Sequence, residues 1–167
     1  MRVEYELMPE DWGAFAEYCA ARSPRVQGSI LSSRLLGSLV LAIAAFSLLG
    51  GSVWQRAPFA VLLAAAWWWA TPRLMYRNVR RAALARERPC IRGRHTLESG
   101  PDGIRAKCDV SESVHTWAGV RSVTSAPEHV FVLIGDALGY AVPRGRVVSG
   151  DLDGFVKAVT EHVRVDA

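Results

Sequence analysis

Apolar and polar residues alternate over Arg2–Leu7, with Val3, Tyr5 and Leu7 on one side and Arg2, Glu4 and Glu6 on the other. A period of two marks a strand with one buried face. Pro9, Glu10 and Asp11 then open a helix, with acids in its first turn where they oppose the helix dipole. Trp12, Phe15, Ala16 and Cys19 recur at helical spacing, and the helix is expected to end near Arg22–Pro24. Its polar face is acidic, so its apolar face is expected to pack on folded protein rather than on an anionic surface, which favours Lys and Arg.

The pattern then changes. Leu35–Gln55 is a run of 21 residues without charge, and Arg56 is the only charge before Arg73. A bilayer core requires ~20 helical residues. A first span over roughly Leu31–Leu49 is therefore expected, broken by Gly50, Gly51 and Ser52. A second begins near Ala57, with Pro58 in its first turn where no backbone donor is lost, and reaches Tyr76 if Arg73 snorkels. Small residues for helix packing occur at Ser38, Ala42, Ala45, Ala60 and Ala64. Trp54 lies in the turn and Trp67, Trp68 and Trp69 near the far end, as in interfacial aromatic belts.

Charge adds the orientation. Residues 73–94 hold eight Arg against Glu87 alone, and Arg22, Arg25 and Arg34 precede the first span. The connecting turn carries only Arg56. The positive-inside rule therefore places both termini in the cytoplasm. Arg73–Arg88 is expected to continue as a helix until Pro89, with its Arg residues all round and Met75, Val79 and Ala82 on one strip. Arg73, Arg77, Arg80 and Arg81 are candidate contacts to the membrane surface. No aromatic interleaving or reader motif accompanies them, which argues against nucleic acid.

After Arg94 the period returns to two. Arg94–Ser99 reads as a short strand, and Gly100-Pro101-Asp102-Gly103 as a turn. Ile104, Ala106, Cys108 and Val110 alternate with Arg105, Lys107 and Asp109. Ser113–Trp117, Val120–Ser125, the continuous apolar run Val130–Ile134 and Leu138–Val142 complete an antiparallel meander of six short strands. Leu152, Phe155, Val156, Val159 and Val163 form one stripe of a final helix, with Ser149 as its expected cap and Asp151 and Asp153 nearby. Such a stripe needs a sheet to cover. Arg2–Leu7 is a candidate seventh strand at the open edge of that sheet.

The expected organisation is a strand and amphipathic helix over 1–29, a two-helix transmembrane hairpin over 30–76, a basic juxtamembrane helix over 77–92, and a β-rich domain with a final helix over 93–167. The fold class is a membrane α-helical hairpin plus a small cytoplasmic α+β domain, an antiparallel sheet or partial barrel capped by the C-terminal helix.

The chain resembles the YcxB-like membrane proteins. The marks are Trp-Ala-Gly-Val-Arg-Ser-Val from Trp117 to Val123, an apolar strand, Tyr-Ala-Val-Pro-Arg-Gly-Arg-Val from Tyr140 to Val147, and Phe155 in the final helix. The resemblance covers nearly the whole chain. It implies a C-terminal domain similar to bacterial pleckstrin-homology-like domains, and no catalytic residues.

Catalytic chemistry leaves no local signature. Cys19, Cys90 and Cys108 lie far apart in sequence and are expected as reduced thiols in the cytoplasm. His95, His115, His129 and His162 form no zinc-ligand spacing. No P-loop, G-x-S-x-G or dinucleotide fingerprint occurs. The spans hold no Asp, Glu, Lys or His of the kind proton relays use. No catalytic, cofactor or metal residue is therefore assigned, and no cofactor is expected. The expected function is a non-enzymatic, membrane-anchored binding or scaffolding module of the bacterial inner membrane. The alternative is a regulator of a membrane protein acting through the hairpin. The expected partners are the lipid bilayer, another membrane protein or a second copy of the chain.

Overall fold

The computed structural model describes residues 1–48, 50, 52–85, 90, 92–135 and 138–165. They form two compact units. One joins Met1–Ala16 to Ala83–Ala167, and the other is Glu17–Ala82.

The first unit contains β1 (Arg2–Leu7), the first turns of α1 (Pro9–Arg22), then β2 (Gly93–Ser99), β3 (Gly103–Cys108), β4 (Glu112–Thr116), β5 (Val120–Ser125), β6 (His129–Ile134), β7 (Leu138–Pro143), β8 (Val147–Ser149) and α4 (Leu152–Val165). The strands make two antiparallel sheets, one ordered β4-β3-β2-β1-β8 and the other β5-β6-β7. The antiparallel sheets and the C-terminal helix agree with the coarse α+β reading.

The N-terminal strand does not dock at an outer edge. It sits inside the larger sheet, paired along its length to β2 from Arg2↔Glu98 to Leu7↔Gly93, and to β8 through Glu4↔Ser149 and Tyr5↔Val147. Its alternation is used as the pattern requires, with Val3, Tyr5 and Leu7 buried in the core. Strand β8 is three residues long, too short to show a period. Gly150 makes its approach to β1 possible: its φ is +97°, and a Cβ there would stand 2.2 Å from the Arg2 carbonyl oxygen.

Val130 and Val132 of β6 join the same core, while Phe131 meets Phe15 of α1, ring centroids 6.1 Å apart. Both faces of β6 are thus covered, which explains its uninterrupted apolar run. The alternation of β3 stops earlier than expected, since the strand ends at Cys108 and Val110 is exposed.

Leu152, Phe155 and Val159 of α4 close the core, with Val156 and Val163 packed at its margin. The cap is Asp151 rather than Ser149: its Oδ1 accepts from the Gly154 N–H at 3.0 Å, and its carbonyl accepts from the Phe155 N–H at 3.0 Å. Only a side chain adjoining the first turn reaches those donors.

The second unit contains the rest of α1, then α2 (Pro24–Leu48) and most of α3 (Val53–Leu84). Residues Pro24–Ser47 are long and apolar enough to cross a membrane, and 11% of that apolar window is buried within the protein. It is the one such helix among the described residues. Helix α3 begins earlier than expected, so Pro58 lies past its first turn; Pro72 lies inside it, as a helix reaching Tyr76 requires. The helix stop expected at Pro89 lies outside the described residues.

Helices α2 and α3 pack antiparallel. The Trp67 indole Nε1–H donates to the Ser33 carbonyl at 3.0 Å, and Arg56 Nη1 donates to the Phe46 carbonyl at 3.0 Å. Gly37 makes the first contact possible, because a Cβ there would lie 2.0 Å from the indole nitrogen. Trp67 therefore joins the helix pair rather than an aromatic belt, whereas Trp54, Trp68 and Trp69 are exposed. Ala45 and Ala60 are buried within this unit, and Ser38, Ala42 and Ala64 are half-buried.

Candidate functional site

The four arginines singled out in sequence all lie on α3 and all are exposed. Positions 73, 77, 80 and 81 turn through an arc of about 100° at 3.6 residues per turn. These four form one basic stripe; Arg86 and Arg88, which the expectation of arginines all round also covered, lie outside the described residues. Arg73 folds back, its guanidinium 3.5 Å from the Trp69 ring centroid and its Nη1 donating to the Trp69 carbonyl at 2.9 Å. Arg34 similarly covers Trp68 at 5.0 Å. In both, a guanidinium lies over an indole face, a cation–π contact.

A second region lies wholly in the sheet unit. A cavity of about 270 Å³ opens between the sheets and α1, lined by Tyr5, Trp12, Cys90, His95, His115 and Tyr140 among others. Strand alternation brings the first set together. Tyr5 and His95 are register partners on β1 and β2 and stack at 5.5 Å with 24° between planes. His115 on β4 and Tyr140 on β7 meet across the sheets, His115 Nε2 lying 2.9 Å from the Tyr140 hydroxyl. The Ser113 hydroxyl stands 3.4 Å from the same oxygen.

Burial governs the protonation here. It pushes the Tyr5 and Tyr140 hydroxyls above their ordinary value, so both stay neutral. It also pushes His95 below its usual value, partly offset by the Asp109 charge and a hydrogen bond to the Cys90 backbone. The residue is 7% exposed, and its Nε2 is buried with no hydrogen-bond partner among the described residues.

Two groups escaped sequence reasoning. Asp11, 1% exposed, accepts from the Met8 N–H at 2.8 Å and from His129 Nε2 at 2.8 Å, and pairs with Arg146. Arg146 also holds Glu10 at 3.0 Å. The carboxylate caps α1 and ties it to β6 and the turn after β7, which an acid in the first turn signals only in part. Cys90 and Cys108 are the other. They are joined by a disulfide, with Cα atoms 6.2 Å apart. Their separation of 18 residues spans the β2–β3 hairpin, and a hairpin returns the chain beside its start. Cys19 is free.

No three His, Cys, Asp or Glu side chains among the described residues are placed to hold a metal ion. No family model matches the chain, and neither a curated protein nor a solved structure matches it.

Proposed function

We propose that the protein is a membrane-anchored, non-enzymatic binding module, with α2 and α3 as two spans and the sheet unit as the part that binds. The observation that carries this is the apolar window of α2, of which 11% is buried. Among the described residues most of that surface is left uncovered, and a lipid core covers it without exposing backbone donors. At 32 residues α3 is about 48 Å long, more than a bilayer core of ~30 Å. The excess carries the arginine stripe, whose charges suit the phosphates of a leaflet surface. The arginine bias supports cytoplasmic termini, and two antiparallel sheets with a C-terminal helix support the YcxB-like, pleckstrin-homology-like reading.

Carbonate extraction of membranes containing the full chain tests the anchor, and the protein should stay in the pellet. Reporter fusions after residue 167 and at Ser52 should give opposite signals. The binding role is tested by comparing cross-linked partners of the wild-type chain with those of Phe155→Asp, which unfolds the sheet unit and leaves α2 and α3 intact. Partners retained by the variant would assign the role to the helix pair.

A second reading concerns orientation and rests on the disulfide. Disulfides persist in oxidising compartments and are rare in the cytosol. If the sheet unit faces outward, Cys90 and Cys108 resist thiol alkylation in intact cells until a reductant is added. If it faces the cytosol, both are thiols and alkylate without added reductant when cells are opened at neutral pH with the alkylating agent already present.

A further inference from the structure

We infer that the open edge of β4 is an interface for a second copy of this chain, whose own β4 pairs with it antiparallel about a two-fold axis and joins the two larger sheets into one. This goes beyond the proposed binding role and does not require it.

Strand β4 ends the order β4-β3-β2-β1-β8, and among the described residues no strand lies beyond it. The phase of the ladder says which backbone groups it leaves open. The Cys108 N–H donates to the Ser111 carbonyl at 2.9 Å, and bonded and non-bonded pairs alternate along an antiparallel ladder. Ser113 and His115 therefore direct their backbone groups at Ala106 and Ile104 of β3. Glu112, Val114 and Thr116 turn theirs outward, and all three residues are exposed.

Sheet edges are usually blunted by shortness, a bulge, Pro or Lys. Three other strands show such devices: β8 is three residues long, β5 shifts register between Val120 and Ser122, and β7 ends in Pro143. Strand β4 has no Pro, Gly or Lys and keeps an unbroken register with β3. Its central residue, the β-branched Val114, is 61% exposed. Its one charge, Glu112, stands at the strand end, 3.4 Å from Arg105.

The strand is also complementary to itself. With Val114 of one copy opposite Val114 of the other, Glu112 faces Thr116 and Ser113 faces His115. The outward groups of residues 112, 114 and 116 then meet outward groups, and no like charges stand opposite. A slip of one residue sets those groups against ones already bonded to β3. A slip of two sets Glu112 against Val114, and a slip of four sets Glu112 against Glu112. The contact uses the same patch on both copies, so it closes as a dimer and does not propagate. Five residue pairs make a small interface, weak in dilute solution and favoured where both copies share one bilayer.

The test uses the full chain in phosphatidylcholine vesicles, fused after residue 167 to a donor or an acceptor fluorescent protein. Wild-type donor and acceptor should transfer energy above the level of random crowding. Val114→Glu and Val114→Lys each set two like charges opposite at the axis, and each alone should lose the transfer. Neither buries a charge, and protected amides at Val130–Ile134 check that the sheet unit stays folded. Mixing a Val114→Glu donor with a Val114→Lys acceptor sets opposite charges face to face and should restore it. In the wild type, the Val114 amide should exchange slowly at high protein-to-lipid ratio and faster on dilution with lipid. Transfer that survives both variants places the contact elsewhere, as on the helix pair, and overturns the proposal. So do a wild type without transfer, a mixture that stays dark, and a Val114 amide that exchanges fast at every ratio. Flotation of the same vesicles reads the anchor separately, so a chain that floats without transfer refutes the pairing alone.

Discussion

Deleting residues 1–8, with a new initiating Met before Pro9, should unfold the sheet unit while leaving α2 and α3 helical. The deletion removes β1 from between β2 and β8. Val3, Tyr5 and Leu7 are all core residues, with at most 6% exposure. Burying each is worth about 1.5–3 kcal/mol, so about 5–9 kcal/mol for the three. The ladder to β2 covers six residue pairs, and its loss bares one edge of β2 and one of β8. A domain is stable by ~5–15 kcal/mol in total, so the loss takes most or all of that margin. The assay is amide exchange on the full chain in nanodiscs, followed at Val130–Ile134 of β6. Those residues lie in the other sheet and touch none of the deleted backbone ladder, so they report cooperative unfolding rather than local fraying. Exchange there should accelerate by several orders of magnitude. If β6 keeps wild-type protection, β1 is an accessory strand and the unit is complete without it.

Three further outcomes follow from the same packing. Phe155→Asp places a charge where exposure is 0% and should cost several kcal/mol, read as loss of the cooperative thermal transition of the sheet unit in the full chain. Asp11→Ala leaves His129 and Arg146 without their shared carboxylate; the expected loss is about 2–3 kcal/mol, below the ~3–5 of a fully buried pair because Arg146 is 29% exposed, and an unchanged denaturation midpoint would refute the tie between α1 and β6. Stability should also fall with acid. His95 titrates below its ordinary 6.5 when folded, so below about pH 6.5 the unfolded chain takes up a proton that the folded chain refuses. The native state then loses up to ~1.4 kcal/mol per pH unit until the folded ring itself protonates, and His95→Phe should flatten that slope in urea melts between pH 5 and 7.

Much of the candidate site could be seen in sequence only as separate parts. The arginine stripe was present in the spacing 73, 77, 80 and 81, and counting at 100° per residue resolves it into one face. His95 carried no mark beyond lying in a short mixed strand. Its burial depends on Tyr5, which lies 90 positions earlier and is brought beside it only by the β1–β2 ladder. The Cys90–Cys108 pair was hidden for a related reason: the hairpin between them was legible, but Cys90 stands before its first strand.

The amino-acid sequence by itself determined the local elements, because side-chain period is a property of neighbours in the chain. Alternation set the buried faces of Arg2–Leu7 and Ile104–Ala106, a 3.6-residue stripe set the inner face of α4, and the uncharged run from Leu35 left the C-terminal half of α2 without a charged face. Only the tertiary structure decided which elements meet. A strand's period says which face is buried but not which strand lies beside it. That choice was made by closing the core, where β1 fills the gap between β2 and β8 and brings Tyr5 onto His95. Asp11 acquired its partners in the same way, from β6 and the turn after β7, more than a hundred residues away in the chain.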